Sequence, residues 1–314
     1  MNEKEIKMIS IIIPCFNEEG NIIELYNRVC EFVPTKYQFE FIFVDDGSSD
    51  QSLQIIKKLN LEDSRVRFIS FSRNFGHQNA LKAGIDNATG DCSISLDADL
   101  QHPPSLIPRL LEEWEAGFDV VYTIRVETSN ASMFKKATSN LFYRLMKSIS
   151  HTQVVQGAAD FRLLDKKVMR ELSKFTENYL FIRGIIAWMG YRQKSLEYKA
   201  EERFSGKTKY PFRKMFKFAI VGVTSFSIKP LKISLVIGFI IAILSFLYGV
   251  FAVYATLFTN YTLSGWGSLI ASVLFIGGIQ LVLLGVMGEY LGKLFIENKK
   301  RPNYIIRDSN ISNP

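Results

Sequence analysis

The chain carries no charged side chain between Lys232 and Glu289, and this span constrains its fold more than any other feature. Two stretches inside it, 233–258 and 266–288, are each apolar and long enough to cross a bilayer as a helix, and a short polar break separates them. A buried helical hairpin is the alternative, but about 55 uncharged residues in a row exceed what a soluble core needs. The sequence therefore predicts a transmembrane hairpin over 233–290.

Basic residues flank both predicted crossings, whereas the loop between the crossings has none. They are Lys207, Lys209, Arg213, Lys214, Lys217, Lys229 and Lys232 before the first crossing, and Lys293, Lys299, Lys300, Arg301 and Arg307 after the second. By the positive-inside rule, both termini and the N-terminal domain lie in the cytoplasm, which predicts a two-pass protein of the plasma (inner) membrane. The net charge of +7 is concentrated in these flanks, which favours anionic lipid head groups over nucleic acid as a partner.

Short apolar runs alternate with amphipathic helical patterns over residues 9–125. The pattern predicts strands at 9–14, 39–44, 66–71, 91–96 and 119–122, and helices at 19–32, 49–59, 77–88 and 106–114. Ser48 or Ser49 is the predicted N-cap of the second helix. Short apolar strands that alternate with helices are typical of a parallel sheet covered on both faces. We therefore predict an α/β domain whose ligands bind beyond the carboxyl ends of its strands.

Acidic and amide side chains cluster at three of these strand ends, at 17–19, 45–46 and 97–99. The first strand is not followed by a G-x-G-x-x-G sequence, and the chain has no Walker sequence. This pattern disfavours a dinucleotide oxidoreductase. Carboxylates in place of a glycine-rich phosphate loop indicate that a metal ion neutralises the phosphates of the ligand.

Asp97 and Asp99 are the strongest candidates for holding that ion. In a strand, positions i and i+2 point to the same side, so both carboxylates would reach one ion. Oxygen ligands of this kind suit Mg²⁺ or Mn²⁺, which share their coordination with water and substrate phosphates. For an isolated D-x-D pair, the alternative is a strand end capped by aspartates before a helix.

Seven motifs, in order and correctly spaced, match a known family. They are IIIPCFNEE at 11–19, FVDDGSSD at 43–50, SRNFGH at 72–77, DADLQHPP at 97–104, GAADFR at 157–162, ERFSGKTKY at 202–210 and GEYLG at 288–292. On these motifs the chain resembles the family 2 glycosyltransferases of the polyprenyl-phosphate type, and it is similar to bactoprenol glucosyltransferases and dolichyl-phosphate mannose synthases. The resemblance covers nearly the whole chain.

The resemblance implies a GT-A fold, which is a Rossmann-like α/β domain with a mostly parallel sheet, followed by the two-helix transmembrane hairpin. The nucleotide-sugar-binding core is expected at 1–130. The acceptor side of the catalytic domain is expected at 131–232. Its amphipathic patterns at 134–149 and 210–226 predict helices that lie at the membrane interface, with packing against the core as the alternative. The hairpin at 233–290 is then followed by a basic cytoplasmic tail at 291–314.

The resemblance also implies roles for individual residues. The nucleotide-sugar pocket is expected to contain Pro14, Asn17, Glu18, Asp45, Asp46, Asp97 and Arg125; the metal ion is expected on Asp97, Asp99 and Gln101; and the acceptor phosphate is expected on Arg203, Lys207 and Lys209. Asp160 and Asp99 are the expected catalytic residues, Asp160 either as a base or as a group that positions the acceptor. Ala158 and Ala159 precede Asp160 where relatives often carry a small Ser or Gly, and we do not expect this departure to abolish activity.

Together these expectations describe an inverting, non-processive enzyme that moves a sugar onto undecaprenyl or another polyprenyl phosphate at the cytoplasmic face, with UDP-glucose as the first choice of donor. A subunit of a polysaccharide synthase is one alternative, although the chain lacks the extra crossings and the Gln-x-x-Arg-Trp motif of those enzymes. A non-catalytic membrane scaffold with a transferase-like domain is another. Small residues in the second crossing, such as Gly277 and Gly278, would also allow homo-oligomers.

Overall fold

The computed structural model describes residues 6–126, 158–177, 180–198, 229–258 and 265–311. The chain divides into two compact units. The first comprises Met1–Phe212 and Pro302–Pro314, and the second comprises Arg213–Arg301. The C-terminal residues thus belong to the same unit as the N-terminal domain.

One mixed sheet forms the centre of the first unit. Among the described residues its eight strands are β1 (Met8–Cys15), β2 (Gln38–Asp45), β3 (Val66–Phe71), β4 (Cys92–Ser95), β5 (Val120–Arg125), β6 (Ala158–Asp165), β7 (Gln193–Tyr198) and β8 (Ile306–Ser309). The helices described in this unit are α1 (Ile22–Phe32), α2 (Ser52–Glu62), α3 (His77–Asp86), α4 (Ile107–Glu115), α5 (Lys166–Ser173) and α6 (Ile182–Trp188). The strands are arranged in the order β7-β5-β6-β4-β1-β2-β3-β8.

The four central strands β4, β1, β2 and β3 are parallel to one another. β6 is antiparallel to both β4 and β5, and β7 is parallel to β5. β8 is antiparallel to β3 at the opposite edge of the sheet. The predicted α/β fold with a mostly parallel sheet is confirmed. The sequence did not predict that β6 runs antiparallel to β4 and β5, because no local pattern shows in which direction a strand pairs with distant strands.

The sheet is covered on both faces because successive side chains of the apolar central strands point in opposite directions. In β1, Ile11 and Ile13 pack in a cluster with side chains of α1, α2 and α4, whereas Ile12 packs on the other face against α3, α5 and α6. All three side chains are fully buried. Burial of this kind contributes about 1.5–3 kcal/mol per large aliphatic side chain.

Several predicted boundaries differ from the structure by a few residues. β3 spans the predicted residues, but α1 begins at Ile22 rather than at residue 19. The predicted N-cap of α2 is wrong: the helix is preceded by Gln51, and the backbone N–H of Ser52 donates to Asp50 instead. Ser48 is engaged elsewhere, as an acceptor for the loop that follows β1.

The second unit contains two long apolar helices among its described residues, α7 (Lys229–Phe258) and α8 (Trp266–Asn298). Within them Leu231–Phe251 and Phe275–Asn298 are long and apolar enough to cross a membrane, judged by length and composition. The two helices that the sequence predicted are therefore present. α8 continues ten residues beyond the predicted end at 288, because Glu289 and the residues after it extend the same helix.

Among the described residues, the predicted tail at 291–314 contributes to two elements. Its first part completes α8, and its last described part forms β8 at the edge of the sheet. The predicted interfacial segments at 134–149 and 210–226 lie outside the described residues, as do residues 259–264 between the two long helices.

Candidate active site

The candidate site lies at the carboxyl edge of the parallel strands, where β1, β2 and β4 end. β6 runs in the opposite direction, and Arg162 of β6 pairs with Ser95 of β4. Asp160, two residues earlier in β6, is therefore brought to the edge at which Asp97 and Asp99 follow β4. β6 thus adds Asp160 to the edge at which acidic side chains already follow β1, β2 and β4.

The loops after β1 and β2 are held together by direct hydrogen bonds. Asn17, with a positive φ of 56°, donates its backbone N–H to Ser48 Oγ at 3.0 Å and accepts the Ser49 N–H on Oδ1 at 2.9 Å. The backbone N–H of Glu18 donates to Ser52 Oγ at 2.9 Å. These bonds give the two predicted nucleotide-binding loops one fixed relative position.

Two other members of the predicted nucleotide pocket flank this junction. Pro14 lies at the end of β1, in register with Val44 of β2. The Glu18 side chain accepts a hydrogen bond from Asn21 Nδ2 at 2.5 Å, just before α1 begins. The structure therefore brings Pro14, Asn17 and Glu18 together at the predicted edge.

Asp45 is completely buried, and hydrogen bonds within the protein engage both of its carboxylate oxygens. Oδ1 accepts the backbone N–H of Ser48 at 3.0 Å, and Oδ2 accepts the hydroxyl of Ser70 at 2.8 Å. This geometry makes Asp45 a residue that fixes the β2 loop against β3. From this buried position, Asp45 supports the loop at the edge of the sheet.

Asp46 holds the next loop in the same way. Its carboxylate accepts the backbone N–H groups of Phe75 at 2.6 Å and Gly76 at 2.9 Å. Burial raises the pKa of Asp46 above its ordinary value, although these two N–H groups act in the opposite direction. Asp46 thereby ties the β2 loop to the β3–α3 loop, which leads directly into His77 at the start of α3.

Gly47, in the β2 loop, combines a positive φ with a close approach to a neighbouring backbone. Its φ is 71°, and a Cβ at this position would lie 2.5 Å from the carbonyl carbon of Arg73. Only a residue without a side chain permits this close approach between the β2 loop and the β3–α3 loop.

Asp97 and Asp99 lie in a turn, not in a strand. β4 ends at Ser95, and Leu100 has a positive φ of 60°. The argument that positions i and i+2 of a strand share one side therefore does not apply, because the backbone has already left the extended conformation. Asp97 keeps about a third of its side chain exposed at this edge.

Hydrogen bonds hold this turn in position. The backbone N–H of Asp97 donates to His102 Nδ1 at 3.1 Å, and the backbone N–H of Gln101 donates to Asp99 Oδ1 at 3.2 Å. Gln101 Oε1 accepts a hydrogen bond from Arg125 Nη1 at 3.0 Å. Gln101, expected at the metal ion, and Arg125, expected in the nucleotide-sugar pocket, are thus in direct contact.

Asp160 is the centre of a cationic cluster. Arg183 donates two hydrogen bonds to its carboxylate, from Nε to Oδ1 and from Nη2 to Oδ2, both at 2.8 Å. Arg162 Nη2 lies 3.4 Å from Oδ1, and Gln78 donates to Oδ2 at 3.3 Å. His77 Nε2 lies 3.4 Å from Asp160 Oδ2 and equally far from Asp97 Oδ1, so it joins the two acidic groups.

The environment keeps Asp160 ionised. Burial alone would raise the pKa of its carboxyl, but the hydrogen bonds from Arg183 and His77 and the charge of Arg162 hold that pKa well below its ordinary value. For His77, burial acts to lower the pKa, but the hydrogen bond to Asp160 and the charges of Asp97 and Asp160 raise it above the ordinary value. A carboxylate held this way is a weak base and a strong anchor for cations.

The sequence reasoning missed the partners of Asp160. His77 and Arg162 stand in quoted motifs, so their presence near the edge was detectable, but their contacts were not. Gln78 and Arg183 carried no signal in the sequence, because a glutamine or an arginine by itself is an ordinary surface residue. Gln78 also accepts the backbone N–H of Ile182 at 3.2 Å, which joins α3 to α6 beside the cluster.

The donor set at the turn suits a hard divalent cation in type, because it offers the carboxylates of Asp97 and Asp99 and the amide oxygen of Gln101. Within the described residues there is no group of three or more His, Cys, Asp or Glu side chains arranged to hold a metal ion. The predicted acceptor residues Arg203, Lys207 and Lys209 lie outside the described residues.

Comparisons with known proteins agree with this architecture. The family model for glycosyl transferase family 2 matches residues 10–173, which include every strand end described above apart from the edge strands β7 and β8. YkcC, a glycosyltransferase of Bacillus subtilis (strain 168), is 44% identical over 96% of this chain and 93% of its own length.

Two further relatives have more specific names. A prophage bactoprenol glucosyl transferase homolog of Escherichia coli (strain K12) is 42% identical, over 95% of this chain and 98% of its own length. The SfII prophage-derived bactoprenol glucosyl transferase of Shigella flexneri is 41% identical, over 98% of this chain and 99% of its own length. With a matching family model and near full-length relatives, the chain belongs to the family 2 glycosyltransferases.

Proposed function

We propose that the protein transfers a sugar from a nucleoside diphosphate to a polyprenyl phosphate. Two relatives named as bactoprenol glucosyl transferases or their homologues align over almost their whole length, including the two apolar helices. This full-length match is the observation that carries the proposal, because a soluble family 2 enzyme would need only the first unit. The cluster of acidic residues at the sheet edge supports a phosphate-bearing donor.

Asp97, Asp99 and Gln101 would hold Mg²⁺ or Mn²⁺ together with the diphosphate of the donor. The bound ion would neutralise the charge that develops on the leaving nucleoside diphosphate. Arg125 donates to Gln101, so it orients the amide oxygen and adds positive charge close to the same phosphates. Asp99 fixes the turn through the Gln101 N–H.

The nucleotide would lie over the loops that contain Pro14, Asn17 and Glu18. Asp45 and Asp46 support this pocket by holding the loops in place, since internal hydrogen bonds already engage the oxygens of both carboxylates. In this proposal Asp45 and Asp46 hold the loops and do not contact the nucleotide.

Asp160 would orient the groups that bind the acceptor, and it would not remove a proton from the acceptor. A phosphate monoester is largely ionised near neutral pH, with a second pKa of about 6, so it needs little help from a base. Asp160, held ionised, orients Arg183 and His77 at the edge where the acceptor phosphate must approach the sugar. Arg203, Lys207 and Lys209 are proposed to bind the same phosphate. A single in-line displacement then inverts the anomeric centre.

The membrane assignment follows from the two apolar helices and the basic flanks. We propose a two-pass protein of the plasma (inner) membrane, with both termini and the transfer reaction on the cytoplasmic side. Glucose from UDP-glucose is the first choice of donor sugar. Self-association through the small residues of α8 is a further proposal.

A direct test is to assay the purified full-length protein in detergent with undecaprenyl phosphate and a panel of UDP-glucose, UDP-GlcNAc, UDP-galactose and GDP-mannose. We expect one donor to yield a chloroform-soluble, acid-labile product that carries a single sugar. A product with many sugars would favour the polysaccharide synthase alternative. No transfer from any donor, together with no nucleotide binding, would favour the non-catalytic scaffold.

A further inference from the structure

Residues 304–311, called here the C-terminal strap, close one edge of the sheet. β8 pairs antiparallel with β3, with Ser309 opposite Ile69 and Asp308 opposite Ser70. Beyond the strand, Asn310 Oδ1 accepts the backbone N–H of Phe68 at 2.7 Å. Ile311 is 8% exposed and packs in the core cluster that includes residues of α3. The strap is therefore an integral part of the first unit.

A chain of hydrogen bonds runs from the strap to the nucleotide loops. Arg307 Nη2 donates to Ser70 Oγ at 3.2 Å, and the same hydroxyl donates to Asp45 Oδ2 at 2.8 Å. The other oxygen of Asp45 accepts the Ser48 N–H at 3.0 Å, and Ser48 Oγ accepts the Asn17 N–H at 3.0 Å. A hydroxyl that donates and accepts at once polarises the bonds on either side of it, so the Arg307 charge strengthens the hold on Asp45.

A second path runs through aromatic side chains. Tyr304 of the strap stacks on Phe71 of β3, with ring centroids 4.8 Å apart, and Phe71 makes an edge contact with Phe75 at 5.7 Å. The backbone N–H of Phe75 is one of the two donors to Asp46. The strap thus supports both carboxylates of the β2 loop, Asp45 by hydrogen bonds and Asp46 by packing.

We propose that the C-terminal strap is a part of the donor site, in which Arg307 and Tyr304 are positioning residues for the nucleotide-binding loops. The proposal rests on the proposed function, because it requires the nucleotide to bind at this edge. It assigns a role in substrate binding to a segment that follows the second apolar helix in the sequence and that was expected to be a basic tail.

The strap also offers an internal control. Lys57 of α2 forms an ion pair with Asp308 at 2.5 Å, on the same strand as Arg307. That pair holds β8 to the unit, and among the described contacts the Lys57 side chain does not reach Ser70, Asp45 or Asp46. Loss of the Lys57 contact therefore reports the effect of loosening the strand alone.

The experiment compares Arg307→Met and Lys57→Met with wild type, as full-length proteins in detergent. For Arg307→Met we expect the KM for the nucleotide sugar to rise about three- to tenfold, with the KM for polyprenyl phosphate and kcat unchanged, because one charge-assisted bond to the Ser70–Asp45 pair is lost. Lys57→Met should leave all three constants near wild type. Arg307→Lys should restore part of the donor affinity.

Ser70→Ala breaks the same path from the other side and covers the case in which Arg307→Met fails to fold. We expect Ser70→Ala to raise the donor KM, and the double variant to have the same donor KM as the more affected single variant, because both changes remove one connection. Equal donor KM values for wild type, Arg307→Met and Ser70→Ala would overturn the proposal. A wild-type protein that binds no nucleotide would instead overturn the proposed function, on which the proposal rests.

Discussion

At the scale of single residues, the contacts of Asp160 decide what this carboxylate does. It receives two hydrogen bonds from Arg183 and lies close to Arg162 and His77. Since its pKa is held well below the ordinary value, its stabilising effect is fully present above the ordinary carboxyl pKa. That effect is lost as the pH falls through the lowered pKa of the folded state.

We expect Asp160→Asn to destabilise the protein by about 3–5 kcal/mol near pH 7, because it leaves the buried Arg162 and the partly exposed Arg183 without their counter-charge. The corresponding fall in melting temperature is roughly 6–20 °C. The stability difference from wild type should be constant above about pH 5 and shrink as the pH is lowered further. Thermal unfolding in detergent at several pH values measures both.

The same variant tests how Asp160 acts in transfer. We expect the rate to fall by about 100-fold, since a small displacement of the acceptor groups is enough for such a loss. In Asp160→Glu the acid limb of the pH profile should stay near pH 6, where the acceptor phosphate gains its proton. An acid limb that moves in Asp160→Glu would identify Asp160 as the base and contradict the positioning role.

Asp99 is proposed to be a ligand of the divalent metal ion. We expect Asp99→Ala to lose nearly all transfer and the increase in UDP affinity that Mn²⁺ causes, because it removes one of the two carboxylates proposed for the ion. Isothermal titration of UDP with and without Mn²⁺ checks this directly. Glu62→Ala, which changes an exposed carboxylate of α2, is the control. An unchanged dependence on Mn²⁺ in Asp99→Ala would remove the assignment.

At the scale of elements, the site depends on how loops are joined more than on the strands themselves. The β1 loop is bonded to the β2 loop by Asn17 and Ser48, and the β2 loop to the β3–α3 loop by Asp46. Since Gly47 approaches the backbone of Arg73 so closely, the last of these junctions has no space for a side chain. These contacts therefore join the three loops into one rim along the edge.

Gly47→Ala should break this rim. The positive φ and the clash with backbone atoms are expected to cost about 1–3 kcal/mol, and UDP affinity should fall because Asp46 and the β3–α3 loop shift. Gly20→Ala is a matched control, since no atom lies within 4 Å of the position its Cβ would take. Melting temperature and UDP affinity, measured for both variants, show whether Gly47→Ala disturbs the rim. Equal UDP affinity for the two would contradict the rim.

At the scale of the whole molecule, the chain combines an α/β unit with two apolar helices and then returns to the first sheet as β8. The basic flanks predict that both ends of the hairpin face the cytoplasm. The unit closed by the returning strand must then also lie there, since β8 pairs with β3.

Cysteine labelling of intact cells tests this topology. A cysteine at Thr262, in the loop between the helices, should react with a membrane-impermeant reagent added from outside. A cysteine at Leu61, which is 87% exposed on the first unit, should react only after the membrane is opened. Labelling of the Leu61 position in intact cells, with protection at Thr262, would invert the orientation.

The sequence alone determined the class of the fold, the two long apolar helices, and the edge where the acidic loops meet. These properties follow from local periodicity, from composition and from the direction of parallel strands. The tertiary structure alone decided the rest. The reversed β6 brings Asp160 to Arg183 and His77, the internal hydrogen bonds take up the oxygens of Asp45 and Asp46, and the last residues join the sheet as β8. Each of these depends on contacts between residues far apart in the chain, and no local pattern encodes which distant strand or side chain a residue will meet.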